Sequence, residues 1–230
     1  GWSHFHLPGS INAWRRCKSR RKWLRIHRDF EWPDTYTPEN LEDLKRFYDR
    51  YLKDIHNGWE MTPKVRVDVM DAFDLDHAER RPETSFPLER TQYKKLYLNA
   101  ADTSLQTTPV ETESQISYDG NTGKVEFDMA YDEDTELTGY MYLRLYVEAD
   151  GHDDMDLFVN IQKADASGRW IPWFTLNEPH PGAWGKMRVS RRELDEKLST
   201  KFCPVLAQKR ELKLSKGEIV PVDIAIVPSS

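Results

Sequence analysis

The stretch Lys22-Trp23-Leu24-Arg25-Ile26-His27, then Glu31-Trp32-Pro33-Asp34, then Leu41 through Ile55, decides how the first part of this chain is read. Trp23 to Ile26 is a short apolar strand. Thr37-Pro38 opens a helix, with a hydroxyl at the N-cap and a proline whose fixed φ suits the first helical position. Leu41, Leu44, Phe47, Tyr48, Tyr51, Leu52 and Ile55 recur at intervals of three and four, which gathers them on one face. A helix with such a face must pack on something large. Upstream, Ile11 to Arg16 closes another helix, and Asn57-Gly58 ends the second. Residues 1–62 therefore read as one α/β segment.

From Lys64 the apolar period falls to two: Val65, Val67, Val69; Leu96, Leu98; Val125, Phe127, Met129; Met141, Leu143, Leu145, Val147. Asp119-Gly120-Asn121-Thr122-Gly123 marks a tight turn, which predicts a hairpin of Ile116–Tyr118 with Lys124–Met129. Leu157 to Ile161 and Ile219 to Val227 add two strands, and Ser190 to Leu198 is the one helical window. Many short strands with turn signals make residues 63–230 a β-sandwich, of which the jelly roll is one form. The fold class is thus mainly β, preceded by a short α/β segment.

Charged residues make up 31% of the 230, and the net charge is -6. An acidic, well-solvated surface exerts no general pull on nucleic acid or anionic membrane. No window holds the run of apolar residues that a membrane span needs, and the start lacks a signal-peptide pattern. Cys17 and Cys203 are too few for a disulfide framework and have no zinc spacing, which fits a reducing compartment, and a cytoplasmic location is expected. A nucleophile elbow requires a serine between two glycines four residues apart, and no two of the eleven glycines stand so.

The motifs Lys22-Trp23-Leu24-Arg25, Arg46-Phe47-Tyr48-Asp49-Arg50-Tyr51-Leu52-Lys53, Asn57-Gly58-Trp59 and Pro63-Lys64-Val65-Arg66-Val67 carry a resemblance that continues through Arg90–Leu98 and Thr138–Val159. The chain resembles the C-terminal part of the cocaine esterase and X-prolyl dipeptidyl-peptidase family of serine hydrolases. That resemblance implies the end of an α/β-hydrolase domain over residues 1–62, followed by a galactose-binding-like jelly roll over 63–230 that is truncated at its C-terminus. It implies hydrolysis of ester or peptide bonds in the full-length enzyme, with a dipeptidyl-peptidase-like activity among the options. No cofactor is implied, and the partners are a missing N-terminal hydrolase domain and a small ester or peptide substrate. The chain alone, lacking the serine, is expected to be inactive. In the family the triad acid follows a Gly-Trp pair, where this chain has Ser3 and His4 after Gly1-Trp2. The base follows the strand, which points to His27; Phe30 and Glu31 lie a few residues on.

Residue chemistry gives each candidate two readings. An imidazole can take a serine proton at neutral pH when a carboxylate fixes its tautomer. For His27 that carboxylate is Asp29, Glu31 or Asp34; the alternative is a strand-end histidine bonded to backbone. His4 and His6 form a His-x-His pair without further ligands at matching spacing, so a terminal loop is favoured and no metal is expected. Arg15, Arg16, Lys18, Arg20, Arg21 and Lys22, flanked by Trp14 and Trp23, read better as a solvated loop than as a single-strand nucleic-acid site. Asp150, Asp153, Asp154 and Asp156 lack the EF-hand pattern and read as a polar turn rather than a calcium site. Trp170, Trp173, Phe174 and Trp184 either stack on a ligand or pack against a partner domain. The rival to the hydrolase is therefore a non-catalytic β-sandwich that binds carbohydrate or protein through this Trp-rich loop, and the segment 1–62 argues against it.

Overall fold

A computed structural model describes residues 6–70, 77–175, 178–180 and 182–229; for 77–79, 173–175, 178, 180 and 229 it describes the backbone only. Helix α1, Leu7–Arg16, has Pro8 in its first turn and buries Leu7 and Ile11. Strand β1, Leu24–Ile26, follows, then a short helix α2, Glu31–Thr35, and the long α3, Pro38–Leu52. Thr37 caps α3 as its sequence required, its hydroxyl accepting from the Asn40 N–H at 3.3 Å. A 3₁₀ turn, Trp59–Met61, leads into β2, Val65–Met70. Strand β2 runs parallel to β1, with Leu24 opposite Val65 and Ile26 opposite Val67. The two helices are thus the crossover of a βαβ unit. Strand β3, His77–Glu83, adds antiparallel to β2, with a register shift between Val67 and Val69.

Leu24 and Ile26 point to one side of β1 and join Leu7, Ile11, Val65, Val67, Phe86, Leu88 and Tyr140 in a buried cluster. The chain is therefore packed continuously across the expected boundary at residues 62 and 63. On the opposite side lies α3. Its Phe47 and Tyr51 rings meet Trp23 at 6.0 and 5.8 Å, and Phe47 meets Trp59 at 5.4 Å. Leu41, Leu44, Tyr48 and Leu52 face outward, between 42 and 76% exposed. The seven apolar positions read as one face thus divide between an inner pair and an open stripe. The helix also stops at Leu52 rather than Ile55, where the Ile55 N–H turns back to the Asp49 carbonyl at 3.0 Å and Asp54 takes φ 54°.

The second core lies under a four-stranded antiparallel sheet. Its strands are β6 (Gly139–Val147), β7 (Asp156–Ile161), β12 (Ala183–Arg188) and β13 (Val220–Ser229), in the order β6-β13-β12-β7. Met187, Val189, Leu214, Val220, Val222 and Ile224 form its core, with Leu143, Leu145, Leu157 and Val159 packed against it. Strands β6 and β13 serve both cores, because Tyr140 belongs to the first and Val227 packs on it. Three short ladders complete the described strands: β4 (Tyr97–Asn99) with β5 (Ser104–Gln106), β8 (Lys163–Ala164) with β9 (Trp170–Ile171), and β10 (Trp173–Thr175) with β11 (Glu178–His180).

Two local expectations fail. Residues 116–118 and 124–127 form no strand, although the turn between them is present: the Asp119 carboxylate accepts from the N–H groups of Asn121 and Thr122 at 2.9 and 3.0 Å. Ile116 and Tyr118 stay 43 and 49% exposed, so the alternation has no surface to cover. Ser190–Leu198 forms only a 3₁₀ turn, Val189–Arg191. Leu194 is drawn into a bridge with Leu206, and Asp195 holds the next turn through the N–H groups of Lys197 and Leu198. The mainly β reading holds.

Candidate active site

The C-terminal ends of parallel strands are where α/β sheets place functional side chains, because the connecting loops converge there. His27 leaves β1 at that end. Arg25, turned away from the first core, forks onto the Asp34 carboxylate of α2: one guanidinium nitrogen donates to Oδ1 at 3.0 Å and the other to Oδ2. Asp34 is 8% exposed, and its Oδ1 lies 3.3 Å from His27 Nδ1. Its carbonyl accepts from the Thr37 hydroxyl at 3.1 Å and the Asn40 side-chain amide at 2.5 Å, which ties α2 to the start of α3. Of the three carboxylates considered for His27, Asp34 stands beside it. Asp29 instead lies 3.6 Å from Arg28 Nε, and Glu31 lies 3.4 Å from Nε2 of His6.

A second buried carboxylate holds the loop from below. Asp68 of β2, 6% exposed, accepts from the Arg28 N–H at 3.1 Å and the Arg80 N–H at 2.8 Å. Arg80 sits at the bulge with φ 49°, a left-handed conformation costly for a side chain of its size. Its guanidinium reaches Asn40 Oδ1 at 2.5 Å and Glu39 Oε1 at 2.8 Å.

Burial is the leading influence on His27, and it penalises the imidazolium enough to bring the pKa to about 4. Asp34 and Asp68 pull upward and Arg25 pulls downward. For Asp34 burial pushes upward, but the Arg25 fork and the neighbouring His27 outweigh it, and its pKa falls below the ordinary value. At neutral pH the pair is therefore a neutral imidazole beside a carboxylate whose charge Arg25 already balances. Two shallow depressions among the described residues, along Asn99–Ser114 and between Glu60 and Thr84, lie away from His27.

His4 lies outside the described residues, and His6 is an exposed N-cap of α1. Among the described residues no three His, Cys, Asp or Glu side chains are grouped to hold a metal. Part of the basic cluster is spent locally, since Lys22 donates to the carbonyls of Trp14 and Cys17 at 2.6 and 2.9 Å and Arg15 donates to Cys203 Sγ at 3.2 Å. Within the acidic cluster Asp154 accepts from the Ser190 N–H at 2.9 Å, Asp156 pairs with Arg188 at 2.7 Å and Asp153 lies 3.4 Å from Lys213. Trp170 is 39% exposed, and the side chains of Trp173 and Phe174 lie outside the described residues. Sequence reasoning missed Arg25, Asp68, Arg80 and Asn40. Charges at 66 and 68 inside a strand otherwise made of Val65, Val67, Val69 and Met70 were the available signal, since a strand with both faces covered must pair any charge it carries.

Residues 57–230 match the family described as the X-Pro dipeptidyl-peptidase C-terminal non-catalytic domain. The chain belongs to that family. Two crystal structures of the CocE/NonD family hydrolase SACOL2612 from Staphylococcus aureus are similar to it at 39% sequence identity, with TM-scores of 0.94 and 0.92. They cover 99 and 96% of this chain, whereas the chain spans only 42 and 40% of theirs. No curated protein matches. The family match begins after α3, so the histidine edge lies outside the domain described as non-catalytic, while the similarity to the hydrolase includes it.

Proposed function

We propose that this chain is the C-terminal portion of a serine hydrolase that cleaves ester or peptide bonds through an acyl-enzyme, the nucleophile and oxyanion hole lying in a hydrolase region outside these residues. The observation that carries this reading is a 39% identical hydrolase superimposed over 99% of the chain, the histidine edge included. The general base is an imidazole of that edge, and the position of His27 directly after β1 supports it in that role. Residues 63–230 act as the accessory sandwich, and the open stripe of α3 is where the rest of the hydrolase domain packs. Without the serine the chain forms no acyl-enzyme.

Fluorophosphonate labelling tests the reading. The complete gene product should be labelled at one serine and hydrolyse p-nitrophenyl acetate, and residues 1–230 alone should do neither. A complete gene product that resists labelling would remove the hydrolase reading in favour of a binding module.

A further inference from the structure

Two routes of contacts run from His27 to a single residue of β3. The first follows the backbone of the loop. Arg28, next to His27, donates its N–H to Asp68 Oδ2 at 3.1 Å, and Asp68 Oδ1 accepts from the Arg80 N–H at 2.8 Å. The second follows side chains. Asp34 Oδ1 stands 3.3 Å from His27 Nδ1, the Asp34 carbonyl accepts from the Asn40 side-chain amide at 2.5 Å, and Asn40 Oδ1 accepts from the Arg80 guanidinium at 2.5 Å. Asp34, Asn40 and Asp68 are all buried, where water competes little for these bonds. Asn40 uses its amide nitrogen and its oxygen on opposite neighbours, and Asp68 uses one oxygen on each. Neither can turn without releasing a bond. Arg80 joins the two routes at φ 49°, a conformation that glycine takes freely and a large side chain does not. Glycine would keep the N–H to Asp68 but lose the guanidinium bonds to Asn40 and to Glu39, the latter 2.8 Å away. Strain of this kind persists where the surroundings over-determine it, and it gathers at functional sites.

On the hydrolase reading with His27 as its base, on which this rests, we infer that Arg80 is a positioning residue of the catalytic edge. It anchors both the loop that carries His27 and the helix α2 that carries Asp34, and so fixes the separation of imidazole and carboxylate. Arg80 and Asp68 lie within residues 57–230, the part matched to the domain described as non-catalytic, whereas His27, Asp34 and Asn40 precede it. That domain therefore serves the reaction by holding the base in place and not by meeting the substrate. The leverage is large, since a displacement of about 1 Å at a reacting group can cost roughly 100-fold in rate.

The test uses the complete gene product and p-nitrophenyl acetate. Arg80→Gly suits the left-handed backbone and keeps the N–H to Asp68, so the fold is retained while the guanidinium is removed. Its kcat should fall by about tenfold or more with KM little changed, because the loss is felt in the transition state and not in ground-state binding. Arg80→Asn, which also tolerates positive φ, should behave alike and serves if glycine loosens the bulge. Asn40→Ala opens the same route, so the double variant with Arg80→Gly should lose no more rate than the more damaged single one. Asp43→Ala, which weakens the fold away from this edge, should leave kcat unchanged well below its unfolding temperature. A labelled wild type whose kcat survives Arg80→Gly, or falls as much in Asp43→Ala, would overturn the role of Arg80 and leave the hydrolase reading standing. Single losses that multiply in the double variant would do the same. A wild type that fluorophosphonate fails to label would remove the reading and this inference together.

Discussion

At the residue scale, His27 ties stability to pH. Its folded pKa of about 4 lies below the ordinary 6.5, so between those values the unfolded chain binds the proton that the folded chain refuses. Stability from this group is complete above about pH 6.5 and is lost as pH falls toward 4, by on the order of 3 kcal/mol at most. Urea titrations at pH 7 and pH 4.5 should show this decline in the wild type and a shallower one in His27→Gln. A second test concerns Arg66, 9% exposed, which forks onto Asp43 of α3 at 3.0 and 2.8 Å. Removing one partner strands a buried charge, so Asp43→Ala should cost about 3 kcal/mol. Replacing both, Asp43→Leu with Arg66→Met, should cost distinctly less in the same denaturation experiment.

At the element scale, Gly185 of β12 lies close against β13. A Cβ there would stand 2.5 Å from the Ala225 carbonyl oxygen of β13, so Gly185→Ala must push the strands apart. We expect a loss of about 1–3 kcal/mol in thermal or chemical unfolding. The elements easiest to read from sequence were those with local causes. Thr37-Pro38 began α3, Leu24 and Ile26 made β1, and the alternation at Met141–Val147 made β6, because capping and periodicity act within a few residues. Elements that failed needed a partner from elsewhere. The alternation at 124–129 makes a single bridge, Asp128 with Ser104 of β5, and Leu194 is bridged to Leu206 where a helix was expected. The site divides likewise. The position of His27 directly after a strand was readable in the sequence, but the contacts of Asp34, Asp68 and Glu31 form only when β1, β2 and α1 meet.

At the scale of the whole molecule, the stripe Leu41, Leu44, Tyr48 and Leu52 is open in this chain. Replacing Leu44 and Leu52 by Glu should leave the melting temperature of residues 1–230 within a few degrees, because exposed positions hold little burial energy. On the proposed hydrolase reading, the same pair should lower soluble yield and any esterase activity of the complete gene product, measured by size-exclusion chromatography and p-nitrophenyl acetate turnover. One further feature governs how the chain is made. Tyr140 and Val227 close the same cluster as Leu7 and Ile11, and Arg15 meets Cys203 across 188 residues. Contacts so distant along the chain carry a large loop-closure cost and make folding slow. During synthesis the βαβ unit must wait with its apolar side uncovered until β6 and then β13 emerge. Because those two strands serve both cores, a chain cut before Val220 loses the strand between β6 and β12 and also uncovers part of the first core, where Val227 packs.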